Sequence, residues 1–361
     1  MTPLNQAAAA AQQGFATEVV RWQAQHGRNH LPWQNTRDPY RVWLSEIMLQ
    51  QTQVATVLGY FDRFLARCPT VAALADASSD EVMGLWSGLG YYSRARNLHR
   101  CAQLVVQEHG GAFPRDAATL ATLPGIGRST AAAVASLCFG ERVAIMDANV
   151  KRVLTRVLGF DADLASAANE RALWNHATEL LPAGHDAPTQ MARYTQGMMD
   201  LGATLCSPKN PVCPRCPVRG SCAAAAAGDA ERYPVRTRKL KRSSQSLWLL
   251  WLRRSDGSVW LSKRPSPGVW AGLQCFPMFE SEDALRAALP AGLPGERGLQ
   301  FLPVVAHVLT HKDLFLHPAQ VEYASTAIEF IASGLGEGAW FTPAEWKAAG
   351  LPAPVRRLLE S

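Results

Sequence analysis

Long hydrophobic runs are missing from this chain of 361 residues. No apolar stretch reaches the length of about 18 residues that suggests a transmembrane helix, and the segment SLWLLWL has only the length of a strand. The beginning, MTPLNQAAAAAQQGFATEVV, lacks the basic end and the apolar run of a signal peptide. The sequence therefore predicts a cytoplasmic protein that has no membrane partner.

Cysteines are scarce outside one segment, because four of the eight lie in CSPKNPVCPRCPVRGSC, residues 206–222. In a reducing compartment, clustered cysteines favour a metal site over disulfides. The spacing C-x6-C-x2-C-x5-C supplies four thiolates, which suit either tetrahedral zinc or an iron–sulfur cluster. The spacing leaves both open, and a structural role is favoured because four ligands leave no open position for chemistry.

A strong excess of charge is also missing, since the net charge is +6 and the pI is about 9.0. This balance permits a polyanionic partner without requiring one. The length predicts more than one core, and composition changes after Cys222, where an alanine run, Pro234 and a basic stretch follow. The patterns predict a helical domain over 1–222, a linker over 223–242 and an α+β domain over 243–361.

The segment LPGIGRSTA places two glycines, Gly125 and Gly127, just before a helix that begins at Arg128 and stops at Gly140. Glycine permits close approach to the backbone, and amides at a helix start attract anions. A DNA phosphate is the natural guest, and Arg128 strengthens this interpretation. The alternative is an ordinary turn between helices.

Two acidic residues in or beside predicted helices are candidate catalytic residues. Asp38 and Pro39 predict the start of a helix that continues through VWLSEIMLQQTQV, where Glu46 lies among apolar neighbours. Burial of that helix would raise the pKa of Glu46, as a general acid requires. Asp147, in IMDANVKRV, is either an ordinary N-cap or the ionised partner of Glu46. Such a pair is what glycosidic cleavage uses.

Taken in order, these four motifs resemble the helix–hairpin–helix DNA glycosylases, and more narrowly the adenine DNA glycosylases of the MutY family. The resemblance covers residues 15–222 most closely. It implies a multidomain α+β protein with a six-helix barrel at about 31–140, a cluster subdomain formed by 1–30 and 141–222, and DNA bound across the cleft between them. It also implies one [4Fe–4S] cluster, whose ligands would be Cys206, Cys213, Cys216 and Cys222.

The resemblance further implies an activity and roles for named residues. The family removes adenine that is mispaired with 8-oxoguanine or guanine. Glu46 would protonate adenine at N7, and Asp147 would stabilise the positive charge on the sugar. Asn149 and Ser129 would position water and the sugar oxygen, while Gln51 and Tyr91 would fill or wedge the duplex that the base has left. Bifunctional relatives carry a lysine where Ser129 stands, so a monofunctional glycosylase is predicted.

The second domain resembles a Nudix module through KRPSPGVWAGLQCFP. The following MFESEDALRAALPAG lacks the R-E-x-x-E-E-like run of a catalytic Nudix helix, which favours a recognition role. The family reads 8-oxoguanine with a Phe-Ser-His loop, and the matching residues here are Leu309, Thr310 and His311. Leu309 departs from that pattern, as does Asn29, where some relatives have lysine or arginine.

Two other interpretations stay open from the sequence. One is a bifunctional endonuclease III-like glycosylase for pyrimidine lesions, and the other is a non-catalytic DNA-binding protein with a structural metal. Ser129 argues against the first, and the pair Glu46 and Asp147 argues against the second. The favoured prediction is a monomeric, nucleoid-associated repair enzyme that binds double-stranded DNA.

Overall fold

The computed structural model describes residues 3–237, 241–289, 299–321 and 325–361. Helices and strands divide the chain at the point where its composition changes, because helices dominate to residue 237 and strands appear from Ser243 onward. The helices in chain order are α1 (Pro3–His26), α2 (Pro39–Leu49), α3 (Val54–Arg67), α4 (Val71–Asp76), α5 (Ser79–Leu85), α6 (Ser93–His109), α7 (Ala117–Leu120), α8 (Arg128–Phe139), α9 (Ala148–Leu158), α10 (Ala167–Glu179), α11 (Ala187–Thr204), α12 (Ala223–Ala227), α13 (Glu282–Ala287), α14 (Ser325–Gly334), α15 (Pro343–Ala348) and α16 (Ala353–Glu360). The strands are β1 (Ser243–Leu252), β2 (Val259–Lys263), β3 (Gln274–Cys275), β4 (Met278–Phe279), β5 (Leu299–Phe301), β6 (Val305–Val308), β7 (Lys312–Val321) and β8 (Ala339–Phe341).

The chain forms two compact units. The first combines Met1–Val57, Thr70–Ala75 and Arg100–Lys239, and the second combines Leu58–Pro69, Asp76–His99 and Leu240–Ser361. The boundary falls inside α3 and α6, so part of the helical region belongs to the unit that holds the strands. The domain boundaries drawn from the sequence stay a prediction.

The helix starts and stops follow the local signals in the sequence. The side chain of Asp38 accepts a hydrogen bond from Tyr40 N at the start of α2, and that of Asp147 accepts one from Val150 N at the start of α9. Gly140 ends α8 in the left-handed region, at φ 73°. These confirmed positions show that capping residues alone locate the helices that carry the two acidic groups.

In the first unit, α11 packs against α1, α8 and α9, while α2 packs against α8. The core is built from the apolar stripe of α9, which includes Val150, Val153 and Leu154, together with Phe15 and Met198. Trp43 of α2 is fully buried and lies 5.1 Å from Phe113, measured between ring centroids. This packing confirms that the helix carrying Glu46 is buried on most of its surface.

Part of the predicted linker is helical. Residues 223–227 form α12, which packs on α9, and Tyr233 is buried. Val235 accepts a hydrogen bond from Leu164 N through its carbonyl oxygen. An alanine run has high helix propensity, which explains α12, and the linker bounds drawn from the sequence stay a prediction. Residues 238–240 lie outside the described part of the chain.

The second unit is organised around a parallel pair, in which β1 and β7 match over their full length from Ser243↔Lys312 to Leu252↔Val321. The sheet order is β4-β1-β7-β5, with β6 also antiparallel to β7. A separate sheet has the order β3-β2-β8. Alternate residues of β1 enter two cores, since Leu249 lies in one and Leu250 in the other. The run of apolar residues in β1 therefore reflects burial on both faces.

A turn at Asp256 and Gly257 follows β1, with Gly257 at φ 83° and its amide donating to the carbonyl of Arg254 over 3.0 Å. The two strands that it joins belong to different sheets and are linked by the isolated bridge Arg253↔Val259. Within the described residues, no helix is long and apolar enough to cross a membrane.

Candidate active site

Glu46 is a half-buried carboxyl group on α2. The pKa of Glu46 is raised from 4.5 to about 7, chiefly by burial and then by the nearby carboxylate of Asp147, while Arg28 opposes the rise. The sequence predicted the direction of this shift from the apolar surroundings. A carboxyl group with this pKa is largely protonated just below neutral pH, so it can act as a proton donor.

Asp147 is the second acidic group and is held by the start of α9. Its Oδ1 accepts a hydrogen bond of 2.7 Å from Val150 N. Burial raises the pKa of Asp147, while the amides of Val150 and Asn149 and the cations Arg152 and Arg28 lower it. Burial outweighs these groups, so the pKa of Asp147 is raised overall, while the hydrogen bonds and cations limit the rise. The arrangement can therefore place a protonated acid and a carboxylate in one site.

The side chains of Ser129 and Asn149 each accept a hydrogen bond close to Asp147. The hydroxyl of Ser129 accepts a hydrogen bond of 3.1 Å from Met146 N. The side-chain oxygen of Asn149 accepts one of 2.9 Å from Nη2 of Arg152. Both side chains therefore fix the backbone and helix start that carry Asp147. The functional roles that the sequence predicted for them stay predictions.

Gly202 explains how α11 approaches this site so closely. A Cβ atom at Gly202 would lie 2.5 Å from the Cβ of Asn149, a distance that real contacts essentially never show. Only glycine therefore allows α11 to pass the start of α9 without displacing Asn149. The sequence pattern gave no sign of this requirement.

Arg28 is a further site residue that sequence reasoning missed. Its Nε donates to Oδ1 of Asp200 over 2.7 Å, and its backbone amide donates to Oδ2 over 3.0 Å. Asp200 is fully buried and also accepts from the amides of Gln34 and Gln196. The pair joins residues 172 positions apart, so no local periodicity could have revealed it.

A polar pocket opens beside these amides. Its lining includes Asn29, Trp33, Gln34, Arg193 and Gln196. The side-chain oxygen of Gln34 is buried and accepts no hydrogen bond within the described residues. A buried acceptor without a donor is costly.

The glycine turn has the geometry that the sequence predicted. It joins α7 to α8, with Gly125 in the left-handed region at φ 75° and Gly127 as the N-cap. Gly127 offers no side-chain cap, so the first amides of α8 are available for an anion. Arg128 is exposed and its guanidinium carbon lies 3.9 Å from the ring centroid of Trp174.

Gln51 and Tyr91 share an unusual backbone conformation. Their φ angles are 58° and 47°, in the left-handed region that non-glycine residues seldom occupy. Both side chains are exposed. Strain of this kind tends to persist at functional positions, which agrees in direction with the roles predicted for these residues.

Thr310 and His311 lie at the tip of the hairpin between β6 and β7, and both are exposed. Within the second unit, the hydroxyl groups of Thr310 and Tyr91 share a hydrogen bond of 2.8 Å. The structure therefore brings together two residues that the sequence analysis had selected separately.

The four clustered cysteines surround one small cavity. Cys206, Cys213, Cys216 and Cys222 line it together with apolar residues of α9 and α11. Among the described residues, no group of three or more cysteine, histidine or acidic side chains is close enough to hold a single metal ion. The donor set is four cysteine sulfurs around one cavity, which fits a metal centre held by thiolates.

Two arginines of α9 hold the first cysteine loop. Arg156 is fully buried, and its Nη1 lies 3.3 Å from Sγ of Cys206 and donates to the carbonyl of Ser207 over 2.7 Å. Arg152 donates to the carbonyl of Cys206 over 2.7 Å. The positive charges offset the charge that thiolate ligands would carry.

These features define a class of protein, and comparisons with known proteins agree. Residues 44–178 match the model of the "HhH-GPD superfamily base excision DNA repair protein" family, and residues 248–361 match the model of the NUDIX domain. A solved thermostable thymine-DNA glycosylase superposes with a TM-score of 0.53 at 28% identity, covering 60% of this chain and 98% of that one. The first unit and its site thus define a base-excision DNA glycosylase of the helix–hairpin–helix class.

Two adenine DNA glycosylases narrow the class to a family, one of them matched over nearly its full length. The adenine DNA glycosylase of Buchnera aphidicola subsp. Acyrthosiphon pisum is 33% identical over 350 residues, which cover 96% of this chain and 97% of that protein. The adenine DNA glycosylase of Mus musculus is 45% identical over 219 residues, covering 58% of this chain and 41% of that protein. This chain belongs to the adenine DNA glycosylase family.

Proposed function

We propose that the protein removes adenine from double-stranded DNA where adenine is paired with 8-oxoguanine or guanine, by hydrolysing the bond between the base and its sugar. The observation that carries this proposal is the pair formed by Glu46, with a pKa raised to about 7, and Asp147 at the start of α9. One group donates a proton and the other offers negative charge. Family membership supports adenine as the base.

Glu46 acts on the base. Adenine must leave the helical stack before a protein group can reach it, and flipping is easiest at a mispair. Protonated Glu46 then gives its proton to N7 of the adenine, which makes the base a better leaving group.

Asp147 acts on the sugar. As the bond to the base breaks, the sugar gains positive charge, which the carboxylate of Asp147 stabilises or traps by a transient bond. Water then attacks the sugar carbon, breaking any bond to Asp147, and gives a proton to the carboxylate left on Glu46. Asn149 and Ser129 position this water and the sugar oxygen. Since the position after Arg128 is Ser129, no amine is present there to form a Schiff base and cleave the strand.

Contact with DNA is proposed for three groups of residues. The glycine turn, with Gly125, Gly127 and Arg128, binds a backbone phosphate through the open amides of α8. Gln51 and Tyr91 fill or wedge the duplex where the base has left it. Thr310 and His311 contact the 8-oxoguanine. We also propose that the protein acts as a monomer on chromosomal DNA.

The four cysteines would hold one [4Fe–4S] cluster. Bound there, the cluster supplies a structural link between the end of α11 and the start of α12, and four cysteine ligands leave no position open for chemistry. The arginines Arg152 and Arg156 orient the first loop of that site.

Metal analysis of the purified protein tests the cofactor. We expect about four iron atoms and four acid-labile sulfides per chain, with little zinc. One zinc and no sulfide per chain would contradict the cluster. A Cys213→Ala variant should lose iron, whereas Cys101→Ala, which changes a buried cysteine outside the segment, should keep it.

Release of free adenine from a duplex with one adenine opposite 8-oxoguanine tests the function. We expect free adenine and an alkali-labile site, without strand cleavage before alkali and without a protein–DNA adduct after borohydride reduction. A matched duplex with thymine opposite adenine is the control. A stable adduct would instead favour the endonuclease III-like alternative, and absence of base release would favour a non-catalytic binding protein.

A further inference from the structure

The tip of the β6–β7 hairpin is held at each of its carbonyl groups. The hairpin is closed by a hydrogen bond of 2.8 Å from Leu309 N to the carbonyl of Lys312. The carbonyl of His311 accepts a hydrogen bond of 3.1 Å from Ser243 N at the start of β1. The two remaining tip carbonyls, those of Leu309 and Thr310, face one side chain, that of Arg242.

Arg242 bridges the tip with a single guanidinium group. Its Nη2 donates to the carbonyl of Leu309 over 2.9 Å, and its Nη1 donates to the carbonyl of Thr310 over 3.0 Å. The carboxylate of Asp313 accepts from the same guanidinium over 2.5 Å. Lysine could not reproduce this fork, because its ammonium group lacks the planar set of donors.

The tip therefore offers its side chains, and not its carbonyl groups, for contact with another molecule. Its carbonyl groups are bound to Arg242 and Ser243, while the side chains of Thr310 and His311 stay exposed. The hydroxyl of Thr310 lies 2.8 Å from that of Tyr91, whose side chain is 47% exposed. The contacts of Arg242 and Ser243 with the tip backbone therefore help to fix the position of the Thr310 hydroxyl.

We propose that Arg242 is a positioning residue for lesion recognition, which fixes the hairpin tip so that the Thr310 hydroxyl meets the base opposite the excised adenine. This inference rests on the proposed function, because it assigns a task to the recognition hairpin. Arg242 and Asp313 are well exposed, with side-chain exposures of 40% and 38%. Exposed ion pairs contribute little to stability, so the contribution of Arg242 lies in geometry.

The pair Arg254 and Glu329 offers a matched control in the same unit. Its nitrogen–oxygen distance is also 2.5 Å, and its side-chain exposures are 32% and 47%. Arg254 does not contact the hairpin tip and lies instead over the ring of Trp340. The effect of losing an exposed arginine in general can therefore be separated from the effect of losing the contacts of Arg242 with the hairpin tip.

The experiment compares R242Q, R242K and R254Q with the unaltered protein. Single-turnover rates of adenine release are measured with adenine opposite 8-oxoguanine and with adenine opposite guanine, and their ratio is the readout. We expect the ratio to fall about 5- to 10-fold in R242Q and in R242K, as the loss of one or two hydrogen bonds implies. In R254Q the ratio should stay within about twofold, and all melting temperatures should agree within about 2 °C.

Retention of the ratio within about twofold in both R242Q and R242K would overturn the inference, as would an equal fall in R254Q. R242K keeps the charge, so a fold defect in R242Q alone does not prevent the test. Failure of the proposed function is a different result, since the unaltered protein would then release no adenine from either duplex.

Discussion

Replacing Asp147 with asparagine is expected to slow base release about 1000-fold or more while binding of the mispair is largely retained. Asparagine keeps a side-chain oxygen that can accept the hydrogen bond from Val150 N, which is 2.7 Å long in the structure. The helix start should therefore survive. Only the negative charge that opposes the positive sugar is lost, so the defect should appear in chemistry and not in folding.

The measurement is a single-turnover assay with enzyme in excess, combined with a binding titration on the same duplex. Asp116→Asn is a suitable control, because Asp116 also caps a helix in the first unit and its Oδ1 accepts from Thr119 N over 2.8 Å. That variant should release adenine at nearly the normal rate. Normal turnover by Asp147→Asn would show that this carboxylate takes no part in the reaction.

Replacing Glu46 with glutamine is expected to slow base release about 100- to 10,000-fold, since glutamine cannot donate a proton in the required way. The two side chains have nearly the same shape, so the buried surface of α2 should be preserved. Glu141→Gln provides the control, because Glu141 is also half-buried in the first unit but contacts the amide of Ala117. A normal rate for Glu46→Gln would exclude Glu46 as the acid.

The same substitution should change how stability depends on pH. The pKa of Glu46 is higher in the folded protein, about 7, than its ordinary value of 4.5. Folding therefore favours the protonated form, and the unaltered protein loses stability as pH rises between these values. Glutamine does not titrate, so above pH 7 Glu46→Gln should be more stable than the unaltered protein by about 2 kcal/mol, after allowance for partial exposure. At low pH, where both forms are neutral, the difference should vanish, and chemical denaturation at several pH values would reveal it.

Local signals in the sequence predicted the parts of the site that depend on neighbours in the chain. Asp38 and Asp147 predicted the starts of α2 and α9, and Gly140 predicted the end of α8. The apolar run around Glu46 predicted the raised pKa of that group. Each inference used residues within one or two helical turns. Such patterns carry information because capping and amphipathic burial act over short distances.

Contacts between distant residues could not be predicted in this way. The pair of Arg28 and Asp200 is 172 residues apart and depends on how α11 packs. Gly202 is required by the backbone of Asn149, not by any turn of its own. The sequence placed Arg242 among several basic residues of a linker. In the structure it donates a hydrogen bond to the carbonyl of Thr310 in the hairpin tip. Only the folded chain reveals which partner each of these residues meets.

The pH dependence of adenine release is the most direct test of the central claim, which is that Glu46 donates the proton while Asp147 stays ionised. The single-turnover rate should fall about tenfold per pH unit above the pKa of Glu46, which is about 7. At low pH the rate should fall again as Asp147 becomes protonated, and the alkaline decline should be absent from the residual activity of Glu46→Gln. A rate that stays constant or increases above pH 7, or an unchanged alkaline decline in Glu46→Gln, would contradict the assignment of Glu46 as the acid.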